Sequence, residues 1–433
     1  MGGQIPLPRG GRGSATLAAP RLRCARLLSG PVGARRHCIG LGTERSVPQN
    51  ARVRAALGTS TRLDPHAAVA EAMAQVSGVL TPAGTARSGV DAVLIVATAA
   101  WGESALLQMI EGVSEEMGDS VVVGGSVEGV QVGQNWVTQR PALAILTLQG
   151  VEAIPLLAEE ASAREAEVAL EWAEGLPQTR KPGELLIFFA DGLSLAAPPL
   201  LAGLGAGLPD LTTIGIGATE TQGGPALVWC QGRVVEKGCA GIWLRIPRRP
   251  ELHFWHGCRP LSDPIEITRA RGHWVRALAG RPALEQLIDH VGEGELTQGQ
   301  VLVGLREMRA TEQPASDHWL VRDISGIDSD QQAFSVPETL RSGLQLIFLE
   351  PPVAETASLE GFSEPSFSER DLCRIYLESR ATAEFRPRVA PVVGPQGPPI
   401  LGISGAYQVA SDFETPGPPR LHTRVSVLAR LIR

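Results

Sequence analysis

The sequence predicts an α/β protein with mixed (α+β) sheets, made of two subdomains with internally repeated β-α-β-β units. Three apolar runs end on glycine and other small residues, as is typical of buried strands that deliver backbone to the loop beyond them. They occupy residues 121–126, 213–218 and 400–405. The first two follow a strand–helix pair at nearly equal spacing, 31 positions from Val93 to Gly124 and 30 from Leu185 to Gly215.

Length and composition predict an ordinary globular chain. The 433 residues exceed what one hydrophobic core usually serves, so two or three domains are expected. A net charge of −7 argues against a nucleic-acid-binding face, and no apolar run is long enough to span a membrane. The six cysteines include no C-x-x-C pair, which is typical of reduced, buried thiols in a cytoplasmic protein without a metal or other cofactor.

The first 50 residues differ from the rest of the chain. They hold eight arginines against one acid, Glu44, and glycine and proline interrupt any apolar periodicity. The favoured interpretation of residues 1–52 is a disordered extension or the product of an early start codon, and the alternative is an organelle transit peptide. The folded part is therefore expected to begin at residue 53.

Residues 53–250 are predicted to form two β-α-β units, each followed by antiparallel strands. Asp64 and Pro65 are residue types preferred at the N-cap and first position of a helix. Strands joined by a helix are expected to be parallel, with a right-handed crossover. The first unit is predicted to contain a helix at 67–76, a strand at 91–98, a helix at 103–117 and strands at 120–125 and 141–148. The second is predicted to contain a strand at 184–190, a helix at 198–204, a strand at 211–217 and a hairpin over 226–245 that turns at Gln231-Gly232.

The second subdomain, residues 251–433, is predicted from shorter signals. Gly272 marks a turn between two strands, Gly292 a helix end and Ser368 the N-cap of a helix. A proline-rich loop at 387–399 leads into the third glycine-ended strand. The predicted elements are strands at 253–259, 264–269 and 274–278, a helix at 282–290, a strand at 343–349, a helix at 368–380 and a strand at 421–431.

The junction between the two subdomains carries the motifs of a family resemblance. They are Gly257-Cys258-Arg259-Pro260, Ile267-Thr268-Arg269-Ala270-Arg271-Gly272 and Leu278-Ala279-Gly280-Arg281-Pro282-Ala283. Together with the glycine-ended strands, these motifs resemble the FIST domain, whose name abbreviates F-box and intracellular signal transduction. The resemblance implies a FIST N-terminal domain at 53–250 and a FIST C-terminal domain at 251–433. It also implies an intracellular sensor of a small ligand, such as an amino acid, that signals through a partner protein.

Residues near the ends of the glycine-ended strands make up most of the predicted ligand-binding set, because ligands of such sheets commonly bind beyond the carboxyl ends of parallel strands. An amino-acid ligand requires an acid for its ammonium group, here Glu128 or Glu220, and a cation for its carboxylate, here Arg259. The resemblance implies a carboxylate after the third strand, where this chain has Gln408. The full set is Gly124, Gly125, Ser126, Glu128, Gly217, Thr219, Glu220, Arg259, Ser404, Gly405, Tyr407 and Gln408. The alternative is that these are ordinary polar residues of solvated turns.

Catalytic signals are incomplete, so the sequence predicts a non-catalytic protein. Ser404 lies in a pattern one residue short of a nucleophile elbow, and polar and proline-rich residues follow where that elbow needs a helix. Cys258 lies two positions from His256, but no third orienting group accompanies the pair. The histidines lack metal-ligand spacing. Two alternatives stay open: an interaction scaffold with a vestigial pocket, and a cryptic serine or thiol hydrolase.

Overall fold

The computed structural model describes residues 53–80, 89–177, 179, 181–292, 301–307, 319–351, 370–379, 398–411, 419–422 and 426–433. The predictions for residues 1–52, for the Ser368 N-cap and for most of the proline-rich loop lie outside these residues. The described chain forms four β-sheets and five helices, which confirms the α/β class with mixed sheets.

Most predicted elements are present at nearly the predicted bounds. The helices are α1 (Pro65–Leu80), α2 (Glu103–Met117), α3 (Glu165–Gly175), α4 (Ala197–Gly207) and α5 (Ala283–Val291). The strands up to residue 250 are β1 (Arg54–Ser60), β2 (Val90–Thr98), β3 (Val121–Val127), β4 (Gly129–Val132), β5 (Asn135–Thr138), β6 (Leu143–Gln149), β7 (Glu152–Ala158), β8 (Glu184–Asp191), β9 (Thr212–Ala218), β10 (Val228–Cys230), β11 (Arg233–Val235) and β12 (Cys239–Arg245). The later strands are β13 (Glu251–Trp255), β14 (Arg259–Pro260), β15 (Ile265–Arg271), β16 (Trp274–Leu278), β17 (Arg281–Pro282), β18 (Leu302–Glu307), β19 (Leu320–Asp323), β20 (Gly326–Asp328), β21 (Ala333–Ser335), β22 (Leu344–Glu350), β23 (Asp371–Ser379), β24 (Ile400–Gly405), β25 (Gln408–Ala410), β26 (Arg420–His422) and β27 (Ser426–Ile432).

The strands assemble into sheets that cross the predicted subdomain boundary at residue 250. Sheet I has the order β1-β6-β2-β3-β10-β11, sheet II the order β26-β25-β9-β8-β12-β7 and sheet III the order β13-β27-β23-β24-β4-β5. Sheet IV has the order β19-β18-β22-β15-β16-β21-β20, with β14 beside β22 and β17 beside β16. Sheet II therefore contains strands from the C-terminal half, and sheet III contains strands from the N-terminal half.

Sheets I, II and III share one topology. Each has a parallel pair whose second strand is glycine-ended: β2 with β3, β8 with β9, and β23 with β24. The first strand of each pair has an antiparallel neighbour, β6, β12 or β27, which in turn pairs with an outer strand, β1, β7 or β13. We number the repeats unit 1 (β1 to β6), unit 2 (β7 to β12) and unit 3 (β13 to β27). In unit 3, strands β14 to β22 are an insertion between β13 and β23, and they form sheet IV.

The three units are tied together by an exchange of hairpins. After its glycine-ended strand, each unit makes a short hairpin that pairs with the glycine-ended strand of another unit. The β4–β5 hairpin of unit 1 pairs with β24, the β10–β11 hairpin of unit 2 with β3, and the β25–β26 hairpin of unit 3 with β9. The exchange closes a cycle, because each unit receives a hairpin from one of the other two units and gives its own hairpin to the remaining one.

Burial follows the same plan, with one inner core and two helix-covered outer faces. Leu94, Ile187 and Ile375, one from each sheet, belong to the inner core between sheets I, II and III. On the outer face of sheet I, Ile95 packs with α1 and α2, and on that of sheet II, Phe188 packs with α3 and α4. α5 packs on sheet IV in a separate cluster.

Local signals read from the sequence are confirmed in the structure. The Asp64 carboxylate accepts the Ala67 N–H at 2.8 Å, as an N-cap does. Gly292 ends α5 with a φ of 87°. Gln231 and Gly232 have φ values of 51° and 74°, the pair of positive values that a tight two-residue hairpin turn requires.

The helix predicted over 368–380 is wrong, because residues 371–379 form β23 inside sheet III. From residue 373 onward the side chains alternate between the two sides of the strand. Cys373, Ile375 and Leu377 belong to the inner core, and Arg374 is on the opposite face. This period-two pattern indicates a strand and outweighs the helix-start signal.

Three other predicted elements need smaller corrections. The strand predicted over 421–431 is two strands, β26 in sheet II and β27 in sheet III, because the first completes the exchanged hairpin and the second completes unit 3. The strand over 253–259 divides into β13 and β14 around Gly257, which has a φ of 63°. The hairpin over 226–245 ends at Val235, and β12 pairs instead with β7 and β8.

Candidate functional site

The ends of the three glycine-ended strands meet. The Thr219 N–H donates to the Ser126 carbonyl oxygen at 2.8 Å, and the Ser126 hydroxyl donates to the Thr219 carbonyl oxygen at 2.7 Å. The Gly217 N–H donates to the Tyr407 carbonyl oxygen at 2.8 Å, and the Ala406 N–H donates to the Gly217 carbonyl oxygen at 3.0 Å. Backbone groups of the protein therefore hold these strand ends together.

The glycines of these strands make room for protein atoms. A Cβ on Gly124 would lie 1.7 Å from the Ile95 carbonyl oxygen, and one on Gly405 would lie 2.5 Å from the Gly217 carbonyl oxygen. A Cβ on Gly125 would lie 3.1 Å from the Phe189 ring. The small residues that predicted close approach by a ligand thus permit close packing between strands and sheets.

Tyr407 and Gln408 are both buried, on opposite faces of sheet II. Burial, followed by the nearby Cys239 and Asp191, raises the pKa of the Tyr407 hydroxyl. Gln408 shares a rung with Ile216 and lies in the inner core, fully buried. Among the described residues, neither amide atom of Gln408 has a hydrogen-bond partner.

The charged residues predicted to bind an amino acid are not brought together. Glu128 is half-buried just beyond β3, and Glu220 is exposed just beyond β9. Arg259 belongs to β14 in sheet IV, where its guanidinium donates to the Glu350 carboxylate at 2.6 Å. The predicted cation for the ligand carboxylate is therefore already paired, in a different sheet from the strand ends.

The outer face of sheet III differs in chemistry from the outer faces of sheets I and II. The register of each parallel pair aligns the three units, because Gly124, Gly215 and Gly402 lie opposite Ile95, Phe188 and Tyr376. The outer-face residues of the first strand are Val93, Ile95 and Ala97 in unit 1, Leu186, Phe188 and Ala190 in unit 2, and Arg374, Tyr376 and Glu378 in unit 3. Units 1 and 2 thus present apolar side chains to helices, whereas unit 3 presents polar and charged ones.

We call this surface the polar face and define it by the outer-facing residues around Gly402. They are Gln131 and Trp136 from the exchanged β4–β5 hairpin, Tyr376 and Glu378 from β23, Gly402 and Ser404 from β24, and Ser426 from β27. Because Gly402 has no side chain, the β4–β5 hairpin can pack directly on β24. A Cβ at this position would lie 2.6 Å from the Gln131 side-chain oxygen and 3.2 Å from the Trp136 ring.

The polar face is buried. Ser404 is 0% exposed, Glu378 1%, Ser426 2% and Gln131 4%. Within the part of the chain that the structure describes, the Ser404 and Ser426 hydroxyls and the Gln131 Oε1 atom have no hydrogen-bond partner. The Gln131 Nε2 group donates to the Gly133 carbonyl oxygen at 3.1 Å, which orients Oε1. Buried polar atoms are nearly always paired, so these unpaired atoms make the polar face a candidate site.

An ion network lies at one end of the same sheet. Asp371 accepts from Arg374 at 2.8 and 3.0 Å and from Arg430 at 2.7 Å, and Arg430 also donates to Glu251 at 2.6 Å. Burial opposes ionisation of Asp371, but the hydrogen bonds from Arg430 and Arg374 outweigh it and lower the pKa of this carboxyl. Both arginines are therefore committed to carboxylates of the protein.

The nucleophile candidates lack the geometry of hydrolases. Ser404 lies within β24, and the next element is β25, where a nucleophile elbow has a helix. The Cys258 Sγ donates to the His256 carbonyl oxygen at 3.3 Å, while His256 Nδ1 accepts the Cys258 N–H at 3.1 Å. Among the described residues, no group of three or more His, Cys, Asp or Glu side chains is placed to hold a metal ion.

Sequence reasoning missed most of the polar face, although a signal was present. Arg374, Tyr376 and Glu378 alternate with apolar residues, and that alternation predicts a strand with one polar face. Gln131 and Trp136 carry no such signal, because their place in sheet III depends on the hairpin exchange. Of the predicted site residues, only Ser404 belongs to the polar face.

Comparison with known proteins gives two similarities. Residues 91–281 match the FIST N domain. The chain is 24% identical over 358 residues to an uncharacterized protein of Mycobacterium tuberculosis, found in strains H37Rv and CDC 1551 / Oshkosh, covering 81% of this chain and 84% of the relative. None of the described helices has the length and apolar character needed to cross a membrane. The family resemblance seen at the junction is thus supported over residues 91–281, where the chain is similar to the FIST N domain.

Proposed function

We propose that this protein is a non-catalytic, cytoplasmic sensory protein that binds a small polar metabolite on the polar face and passes that state to a partner protein. The observation that carries the proposal is the set of buried, unpaired polar atoms on the polar face of sheet III, namely the Ser404 and Ser426 hydroxyls and Gln131 Oε1, whereas the outer faces of sheets I and II are covered by helices. In this proposal residues 251–433 supply the C-terminal FIST domain.

The energetics favour a bound ligand on this face. A buried polar atom without a partner costs about 1–3 kcal/mol. The Ser404 and Ser426 hydroxyls and Gln131 Oε1 together therefore cost several times that amount in the absence of a ligand. A ligand that supplies the missing hydrogen bonds recovers this free energy, and its binding stabilises the folded protein.

An interaction scaffold with a vestigial pocket is the second candidate. The observation that favours it is the closed junction of the strand ends, where backbone hydrogen bonds occupy the place predicted for a ligand. A scaffold of this kind is expected to bind its partner equally well with and without metabolites.

A thermal-shift screen against amino acids, amines, sugars and small organic acids tests the proposal. We expect at least one class to raise the melting temperature of the wild-type protein, and Gln131→Leu to abolish that rise. Gln134→Leu is the matched control, because Gln134 is exposed in the turn of the same hairpin. A melting temperature that no compound changes at millimolar concentration would count against a sensory function and favour the scaffold.

A further inference from the structure

We infer that one face of the β15–β16 hairpin in sheet IV binds an extended acidic segment of a partner protein. This hairpin belongs to a different sheet from the polar face. It carries Arg269 and Arg271 of the junction motif, which take no part in the proposed metabolite site. That the bound segment belongs to the signalling partner rests on the proposed function, whereas the binding itself does not.

Backbone alternation places three arginines on the same face of this hairpin. Ala270 on β15 and Val275 on β16 share a rung and pack in the cluster that contains α5. Because successive side chains of a strand point to opposite faces, the residues that flank these two lie on the face away from α5. We call this surface the arginine face and define it by Arg269, Arg271, Trp274 and Arg276.

The three guanidinium groups of the arginine face are not neutralised by carboxylates. Arg269 and Arg271 are exposed, and Arg276 is half-buried. Among the described residues none of the three forms an ion pair, and the Nε atom of Arg276 is buried without a hydrogen-bond partner. Other arginines of sheet IV are bonded to carboxylates, namely Arg259 to Glu350, Arg281 to Glu285 and Arg322 to Glu338. The arginine face is therefore complementary in charge to an anionic partner.

The spacing of the arginines matches carboxylates at alternate positions of an extended chain. Residues i and i+2 of a strand are about 6.6 Å apart, and Arg269 and Arg271 have this relation on β15. A segment with carboxylates at its own positions i and i+2, lying along β15, therefore presents one carboxylate to each arginine. Arg276 belongs to the neighbouring strand, at the usual strand separation of about 4.8 Å, and supplies a third cation. Guanidinium and carboxylate groups form bidentate, charge-assisted hydrogen bonds.

Trp274 adds an apolar surface to the arginine face. It shares a rung with Arg271 on one side and with Ser335 on the other. The Trp274 ring reaches over β20, since a Cβ on Gly326 would lie 3.8 Å from it. The side chain is half-buried, so part of the ring is accessible to an aliphatic or aromatic residue of the bound segment. Aromatic residues and arginine are enriched in protein–protein interfaces.

The charges around the face favour a short acidic peptide over a nucleic acid. Glu266 on β15 lies next to the buried Ile267, on the same face as the arginines, and Asp328 on β20 lies two residues from Gly326. These acids repel a polyanion that extends beyond the arginines. The chain as a whole has a net charge of −7, so its long-range field does not attract a polyphosphate.

Fluorescence anisotropy with three labelled peptides tests the inference on the unmodified full-length protein. The first peptide, Ser-Glu-Leu-Glu-Leu-Glu-Ser, has glutamates at alternate positions. The second, Ser-Glu-Glu-Glu-Leu-Leu-Ser, has the same composition with adjacent glutamates, and the third has glutamine in place of each glutamate of the first. We expect the dissociation constant of the alternating peptide to be at least about tenfold lower than that of the glutamine peptide and about threefold lower than that of its isomer.

Charge-removing variants assign the binding to the arginine face. Arg269→Gln and Arg271→Gln are each expected to weaken binding of the alternating peptide about tenfold, because each loses a charge-assisted contact. Arg248→Gln is the matched control, since Arg248 is exposed between β12 and β13 and its replacement changes the net charge equally. Circular dichroism checks that each variant is folded. Because the peptides are compared on the wild-type protein, a variant that fails to fold does not prevent the test.

The outcomes separate failure of the inference from failure of the proposed function. Equal binding of the alternating and glutamine peptides overturns the inference, and equal weakening by Arg248→Gln and Arg271→Gln overturns the assignment to the arginine face. A short oligothymidylate that binds more tightly than the alternating peptide, and that Arg271→Gln weakens, replaces the acidic peptide with a nucleic acid. The sensory function is tested separately by the thermal-shift screen. Peptide binding without any metabolite that raises the melting temperature supports the inference and counts against that function.

Discussion

Ser126 and Ser404 occupy equivalent positions in units 1 and 3, and we predict opposite effects when each is replaced by alanine. Both side chains are 0% exposed. The Ser126 hydroxyl donates to the Thr219 carbonyl oxygen at 2.7 Å and accepts the Leu227 N–H at 3.0 Å. The Ser404 hydroxyl has no partner among the described residues. The same substitution at matched burial thus removes a paired hydroxyl in one unit and an unpaired one in the other.

The magnitudes follow from the bonds that each hydroxyl makes. Ser126→Ala loses two hydrogen bonds and leaves the Leu227 N–H without its partner, which is expected to lower the free energy of unfolding by about 1–3 kcal/mol. Ser404→Ala removes a buried polar atom that the ligand-free protein does not satisfy. We expect it to leave the free energy of unfolding unchanged or to raise it by up to about 1 kcal/mol.

Urea unfolding of the two variants and the wild type, followed by circular dichroism without added ligand, measures the difference. A loss of stability in Ser404→Ala as large as that in Ser126→Ala would refute the reasoning, because it would mean that the Ser404 hydroxyl is already paired within the protein. In a thermal-shift assay with a ligand that stabilises the wild type, Ser404→Ala is expected to show a smaller rise in melting temperature than the wild type.

Three further predictions concern packing, pH and thiol reactivity. Gly124→Ala is expected to prevent folding or to lower the melting temperature strongly, because the new Cβ would lie 1.7 Å from a strand carbonyl oxygen. Gly112→Ala, at an open position of α2, is expected to stabilise the protein by about 0.5–1 kcal/mol. Soluble yield and calorimetry distinguish the two variants. The lowered pKa of Asp371 contributes stability above the ordinary carboxyl pKa that is lost as the pH falls through the folded-state value. Urea unfolding at several pH values should therefore show a steeper loss below about pH 4 for the wild type than for Asp371→Asn. Iodoacetamide followed by mass spectrometry should label the partly exposed Cys258 before Cys239, because burial raises the pKa of the Cys239 thiol.

Much of the fold was predictable because its signals are local. The β-branched runs, the alternating helix pattern of α2 and the Asp64 cap each depend on residues close in sequence. The repetition of glycine-ended strands also predicted an architecture built from copies. The helix predicted over 368–380 failed because a cap-like serine was given more weight than the period-two alternation of β23.

The site was far less predictable because it depends on contacts between distant segments. Gln131 reaches Gly402 only because a hairpin from unit 1 completes the sheet of unit 3. Conversely, the residues chosen from loop positions, such as Thr219, use their backbone groups to join strand ends. Sequence patterns show which face of a strand is polar, but only tertiary structure shows that this face is buried and incompletely paired.

A crystal structure of the protein with a ligand identified in the thermal-shift screen tests the central claim most directly. We expect the ligand on the polar face, with a donor group within hydrogen-bond distance of Gln131 Oε1. A ligand bound instead at the loops of Glu128 and Glu220 would contradict this expectation.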